Sequence, residues 1–312
     1  MTLKNINHIN GLVAAPFTPM KQDGSVNLEV IPELFEIYKK NGITGVFVNG
    51  STGEGLELTT NERMELTEAW SDTVQGEFDL LVHVGHSSLE EAKSLSKQAA
   101  NCDFVTGIST VGPFYRKPDR VERLVEFCKE VAISAQNIPF YYYHIPILTG
   151  INIPMYDFIQ VASKEISTFS GIKYSHHDLV DFSRCLHYED QKYDIIFGND
   201  ELLSCGLTLG AKGFIGSTYN LFPSLYHQII EAFDNGDMST VQFLQNKAMK
   251  FVGIIDKYGY AAAAKQLMKH LGVDCGPARL PLHTNGDSQI KELVERLSNE
   301  GFFKYSFQEV SV

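Results

Sequence analysis

Val30-Ile31-Pro32-Glu33-Leu34-Phe35-Glu36-Ile37-Tyr38, followed shortly by Val46-Phe47-Val48, is the stretch from which the fold can be read. In the first part the apolar positions 30, 31, 34, 35, 37 and 38 gather on one helical face. The second is a short apolar run of the kind that forms a buried strand. Helix then strand is half of a parallel β/α repeat, and the same alternation continues in both directions. The apolar runs are Leu12-Val13-Ala14, Val46-Phe47-Val48, Leu80 to Val84, Phe104 to Ile108, Phe140 to Tyr143, Gly171 to Lys173, Ile195 to Phe197 and Gly213 to Ile215, eight in all. Between them lie helical segments with start signals. Thr59-Thr60-Asn61-Glu62 offers a capping box ahead of Met64 and Leu66, and Ser88 opens an amphipathic run to Ala100.

Eight strands separated by helices predict a closed (β/α)8 TIM barrel, with an open doubly wound sheet as the alternative. After Ser217 the strand signal stops, and Pro223–Phe233, Val241–Tyr258, Ala261–Leu271 and Ser288–Leu297 all have helical spacing. The expected organisation is a barrel core over 1–222, an eighth barrel helix at about 223–235 and a C-terminal helical extension over 236–312.

Composition bounds the function. The 312 residues are 44% hydrophobic and 21% charged, too apolar for a disordered chain. Lys and Arg number 26 against 38 Asp and Glu, a net charge of −12, so nucleic acid is not expected as a partner. A local pocket can still oppose that charge and hold a small anion. The most apolar stretch, Ile138 to Ile153, is broken by Pro139, His144, Pro146 and Asn152, so no membrane span is expected. Met1 to Asn7 has no signal-peptide core. Five cysteines, odd in number and never in a C-x-x-C pair, fit reduced thiols of a cytoplasmic protein.

Barrel active sites collect at the carboxyl ends of the strands, so the residues that close each run carry the functional question. Lys173 ends Phe169-Ser170-Gly171-Ile172-Lys173. A buried lysine is disfavoured as ammonium, and the free amine attacks carbonyls; the plainer reading is a strand-end lysine reaching solvent. Tyr143 ends the aromatic run Tyr141-Tyr142-Tyr143 and could relay a proton, although such runs are usually core. Alternation sends Tyr141 and Tyr143 to one face and Tyr142 to the other.

Asn49-Gly50-Ser51-Thr52-Gly53-Glu54-Gly55 follows its strand directly, and converging N–H groups with the Ser51 and Thr52 hydroxyls suit a carboxylate. A tight turn that uses those hydroxyls for its own backbone is the alternative. Asp200 and Glu201, in Phe197-Gly198-Asn199-Asp200-Glu201, could accept hydrogen bonds from a polyol, or one of them could serve the next helix. Gly213-Phe214-Ile215-Gly216-Ser217-Thr218 closes the last run. No H-E-x-x-H or Cys/His cluster is present, and no G-x-S-x-G elbow, so neither a metal site nor a serine hydrolase is expected.

Together the motifs Gly50-Ser51-Thr52-Gly53-Glu54-Gly55, Tyr143-His144-Ile145-Pro146, Gly171-Ile172-Lys173 and Gly216-Ser217-Thr218-Tyr219-Asn220 make the chain resemble the N-acetylneuraminate lyase/dihydrodipicolinate synthase family of lysine-dependent aldolases. The resemblance runs from Gly11 to Leu282. It implies a homotetramer of barrels with C-terminal helical extensions, no cofactor, Lys173 as the Schiff-base amine and Tyr143 as the proton relay. Ser51 and Thr52 would hold the substrate carboxylate.

Synthases of the family carry an arginine where Leu148 stands here, and an apolar side chain cannot hold their second carboxylate. Gly198, Asp200, Glu201, Gly216 and Ser217 match the sialic acid lyases, where they bind the hydroxylated tail, and Pro139 to Pro146 looks like the animal form. Ser175 stands where bacterial lyases have threonine, and its hydroxyl keeps the contact. The implied reaction is cleavage of sialic acid into N-acetylmannosamine and pyruvate. A different 2-keto-acid aldolase and a non-catalytic sensor barrel are the alternatives. Leu148 is expected beside the sugar tail, across the pocket from Ser51 and Thr52.

Overall fold

The computed structural model describes residues 6–307. The outermost parts of the expected bounds, 1–5 and 308–312, lie outside them, as does most of the Met1 to Asn7 stretch. Eight parallel strands close into a barrel in sequence order: β1 Gly11–Ala14, β2 Gly45–Val48, β3 Asp79–His83, β4 Gly107–Thr110, β5 Phe140–His144, β6 Phe169–Tyr174, β7 Asp194–Phe197 and β8 Gly213–Gly216. β1 pairs with β8, which rules out the open sheet.

The helices are α1 Ile31–Lys40, α2 Thr60–Val74, α3 Leu89–Ala99, α4 Val121–Ser134, α5 Pro146–Thr149, α6 Met155–Glu165, α7 Leu179–Leu186, α8 Leu203–Leu209 and α9 Pro223–Asp234. Three more follow the barrel: α10 Met238–Asp256, α11 Tyr260–His270 and α12 Asp287–Asn299. Local sequence explains the starts. Thr59 and Glu62 form the expected capping box of α2, and the Ser88 hydroxyl accepts the Glu91 N–H at α3.

Strand alternation divides the core in two. Val13, Phe47, Leu81, Tyr141, Tyr143, Ile196 and Ile215 point into the barrel. Leu12, Ala14, Val46, Val48 and Tyr142 pack outward under the helices. The aromatic run therefore splits as expected, with two tyrosines in and one out. In the pairing of β5 with β6, Tyr143 lies opposite Lys173, so both candidates occupy one layer at the barrel's carboxyl end.

Two local readings shift. Phe104 and Val105 belong to the turn after α3, where Val105 N–H reaches the Cys102 carbonyl, and β4 begins only at Gly107, paired to Leu81. α5 had no sequence signal of its own; its single turn lies directly after β5.

Candidate active site

A cavity of about 370 Å³ opens at the carboxyl end of the barrel, lined by Ser51, Thr52, Tyr143, Lys173, Ser175, Gly198, Asp200, Glu201, Gly216 and Ser217, among others. The candidate catalytic and binding residues read from the sequence, Leu148 apart, are therefore brought to one space. Lys173 is 4% exposed. Its Nζ lies 3.7 Å from the centre of the Phe47 ring and 4.1 Å from that of Tyr143. Burial lowers its pKa from 10.5 to about 7, against the opposing pull of Asp200. A large fraction of this amine is thus uncharged near neutral pH, as a carbonyl-attacking lysine requires.

The Tyr143 hydroxyl is hydrogen-bonded to Ser51 Oγ at 3.1 Å. Burial raises its pKa to about 12, moderated by Ser51 and Ser175. Phenolate is scarce at that value, so Tyr143 suits a relay, which gains one proton as it loses another, better than a free base. The Gly50–Gly55 turn consumes two of its own donors: Gly55 N–H bonds the Gly50 carbonyl at 3.0 Å and Glu54 N–H the Ser51 carbonyl at 3.2 Å. Ser51 itself is exposed at the loop tip and faces the cavity.

Asp200 and Glu201 separate in role. Asp200 is buried, and its Oδ2 accepts the Thr218 N–H at 3.0 Å and the Thr218 hydroxyl at 2.7 Å. One carboxylate oxygen is thereby committed to Thr218, the first residue of the short 3-10 turn Thr218–Asn220 that follows β8. Glu201 is exposed at the rim. The glycines have a steric purpose: a Cβ on Gly216 would stand 2.1 Å from Asp200 Oδ1, and one on Gly198 would stand 2.2 Å from Ser175 Oγ. Only glycine lets those polar atoms approach the strand ends.

Sequence reasoning missed the contribution of the C-terminal helices. Tyr260, first residue of α11, donates to or accepts from Ser217 Oγ at 2.8 Å, and Val252, Gly253 and Asp256 of α10 complete the wall. The aromatic residue directly after Gly259 at a helix junction was the available signal. His83, at the end of β3, was also passed over. Its ring meets that of Tyr143 edge-on at 5.7 Å, and burial, with Arg63 beside it, keeps the imidazole neutral.

One expectation is corrected. Leu148 is 63% exposed on α5 and lines an adjoining, largely apolar cavity of about 470 Å³; Ser51, Thr52, Tyr143 and Ser217 border both cavities, whereas Asp200 and Glu201 line only the first. With α5 following β5 directly, Leu148 shares a cavity with Ser51 and Thr52 and does not lie across the pocket from them. Among the described residues no group of three His, Cys, Asp or Glu side chains could hold a metal ion.

The model of the dihydrodipicolinate synthetase family matches residues 8–300. N-acetylneuraminate lyase of Pongo abelii is 39% identical over 303 residues, 96% of this chain and 94% of that protein. The Homo sapiens N-acetylneuraminate lyase is 38% identical over the same shares. Among solved structures, Proteus mirabilis N-acetylneuraminate lyase superimposes with a TM-score of 0.92 at 38% identity, covering 95% of this chain and all of that one.

Proposed function

Because the chain belongs to the dihydrodipicolinate synthetase family, we infer that the cavity around Lys173 carries out a Schiff-base aldol cleavage. The substrate is N-acetylneuraminate and the products are N-acetylmannosamine and pyruvate, the reaction of the relatives that match this chain over most of its length. The observation that carries the residue assignment is Lys173 itself, a buried amine against two aromatic faces beside the Tyr143–Ser51 hydrogen bond.

The free Lys173 amine attacks the C2 ketone of the open-chain sugar, the carbinol hydroxyl takes up a proton and leaves as water, and a positively charged iminium results. That cation is an electron sink for the C3–C4 bond. Tyr143 takes the C4 hydroxyl proton while passing its own to the substrate carboxylate, and the bond breaks to N-acetylmannosamine and an enamine. The proton now on the carboxylate moves to C3, and addition of water to the resulting iminium releases pyruvate, the free lysine and a proton, so the water released at the start is balanced by the one consumed here. Ser51 and Thr52 hold the carboxylate throughout. Ser175, Asp200, Glu201 and Ser217, with the Gly198 and Gly216 backbone, bind the hydroxylated tail. The steps require no cofactor.

The organisation proposed with this reading is a barrel unit over 1–222 with its last helix to about 235, and an extension from 236 that closes the pocket wall. The chain works as a homotetramer; the strongly exposed Tyr115, Ile147, Leu148 and Leu280 are apolar surface that association would cover. Sedimentation velocity measures that state. Five unpaired cysteines support a cytoplasmic setting, and no described helix is long and apolar enough to cross a membrane.

Cleavage rates on N-acetylneuraminate and on shorter 2-keto-3-deoxy sugar acids test the assignment. The expected result is a much higher kcat/KM for N-acetylneuraminate. A preference for the shorter acids would assign a different aldolase, and no turnover with any of them would leave a non-catalytic barrel.

A further inference from the structure

Beneath the Ser51–Thr52 turn lies a charged cluster that does not line the cavity. Glu54 and Lys265 are 2% and 1% exposed and form an ion pair at 2.6 Å. The second oxygen of Glu54 accepts the Arg279 N–H, also at 2.6 Å. Both donors come from chain beyond the barrel, on α11 and in the segment that follows it. The Arg279 guanidinium reaches Glu62 at the start of α2, together with the Glu57 carbonyl at 3.1 Å. The C-terminal part of the chain thus holds the carboxylate-binding turn from below and from its far end.

Resting on the lyase reading of the Lys173 cavity, we propose that Glu54 and Lys265 are positioning residues for the substrate carboxylate: their buried pair fixes the turn that presents Ser51 and Thr52. The backbone shows why such a fixing is needed. Asn49 and Glu54 both adopt left-handed conformations, with φ of 61° and 56°. Such conformations in non-glycine residues persist where surrounding contacts over-determine them. Glu54 N–H bonds the Ser51 carbonyl, Thr18 Oγ1 donates to the Gly53 carbonyl at 2.5 Å, and Ser51 Oγ meets Tyr143. A shift of the Glu54 carboxylate therefore travels through one turn to the hydroxyl beside the reacting amine. Stability alone does not demand this pair, since buried ion pairs are often replaceable by apolar groups at no loss. What an apolar pair cannot reproduce is the directed fork from one carboxylate to two donors.

Two variants test this. Glu54→Asp keeps both charges and tolerates the left-handed backbone, but its carboxylate is one methylene shorter. Glu54→Gln with Lys265→Met removes both charges together. Each is reduced with cyanoborohydride in the presence of pyruvate, or of acetaldehyde, which lacks a carboxylate, and labelling is read at Lys173 by peptide mass. The half-saturating pyruvate concentration should rise roughly 10- to 100-fold, the usual consequence of misplacing a binding group by about an ångström. Labelling by acetaldehyde should match the parent chain. A merely structural role would move both probes together, and that result, or an unchanged pyruvate dependence in folded Glu54→Asp, overturns the proposal. Should the double variant fail to fold, Glu54→Asp decides alone. Failure of the parent chain to be labelled with pyruvate would instead refute the lyase reading.

Discussion

Raising the pH from 6 to 8 should increase the rate of pyruvate trapping at Lys173 roughly tenfold, and raising it further should add little. Burial of Nζ between Phe47 and Tyr143 brings the amine from 10.5 to about 7. With a midpoint there, about a tenth of the amine is free at pH 6 and about nine-tenths at pH 8. An ordinary lysine would be free in only about one molecule in 3,000 at pH 7, and its reactivity would climb about a hundredfold over the same interval without levelling. The assay is cyanoborohydride reduction at subsaturating pyruvate, quantified on the peptide that carries Lys173. Asp200 is the group that holds the amine up, so Asp200→Asn should move the plateau to lower pH. A labelling rate that rises steadily past pH 9 would show that the cavity does not depress this lysine, and the argument from burial would fail.

Four further outcomes follow from the same geometry. Tyr143→Phe should lower kcat by roughly 10²–10⁴-fold and still permit pyruvate trapping, since the hydroxyl serves proton transfer; near-normal turnover would move the relay elsewhere. Leu148→Arg should weaken pyruvate binding at least as much as sialic acid binding, because position 148 shares its cavity with Ser51 and Thr52; an effect confined to the sugar would place it on the Asp200 side. Gly216→Ala drives a methyl group into Asp200 and breaks its hold on Thr218, and calorimetry should find roughly 1–3 kcal/mol of lost stability with a raised KM for sialic acid. Asp194, buried under Tyr141 at the start of β7, has its pKa raised by burial from 3.8 to about 7, so the folded chain holds its proton over a range where the unfolded chain does not. Its contribution is complete below pH 4 and is lost as pH rises through 7, on the order of 4 kcal/mol, and Asp194→Asn should flatten denaturant midpoints over that window.

Much of this molecule could be read from the chain alone, because barrel strands are short, apolar and punctuated by capped helices. The same periodicity that locates β2 and α1 places Tyr143 and Lys173 at strand ends, and strand ends are where a barrel keeps its chemistry. What escaped has a physical reason. Tyr260 meets Ser217 across 43 residues and Lys265 meets Glu54 across 211, and no local pattern records contacts of that range. Leu148 was expected across the pocket from Ser51 and Thr52, but it lies on α5, a single turn too short to leave a periodic signal. Of the adjacent acids Asp200 and Glu201, spacing could not tell which would be buried; the Thr218 donors decide it.

The central claim is that Lys173 forms the covalent intermediate. Reduction with borohydride in the presence of pyruvate, followed by proteolysis and peptide sequencing by mass spectrometry, examines it directly. The account predicts one carboxyethyl group per chain, on Lys173, with loss of cleavage activity in proportion to the label. A label on another lysine, including the buried Lys265, or complete inactivation with no label at all, would contradict it.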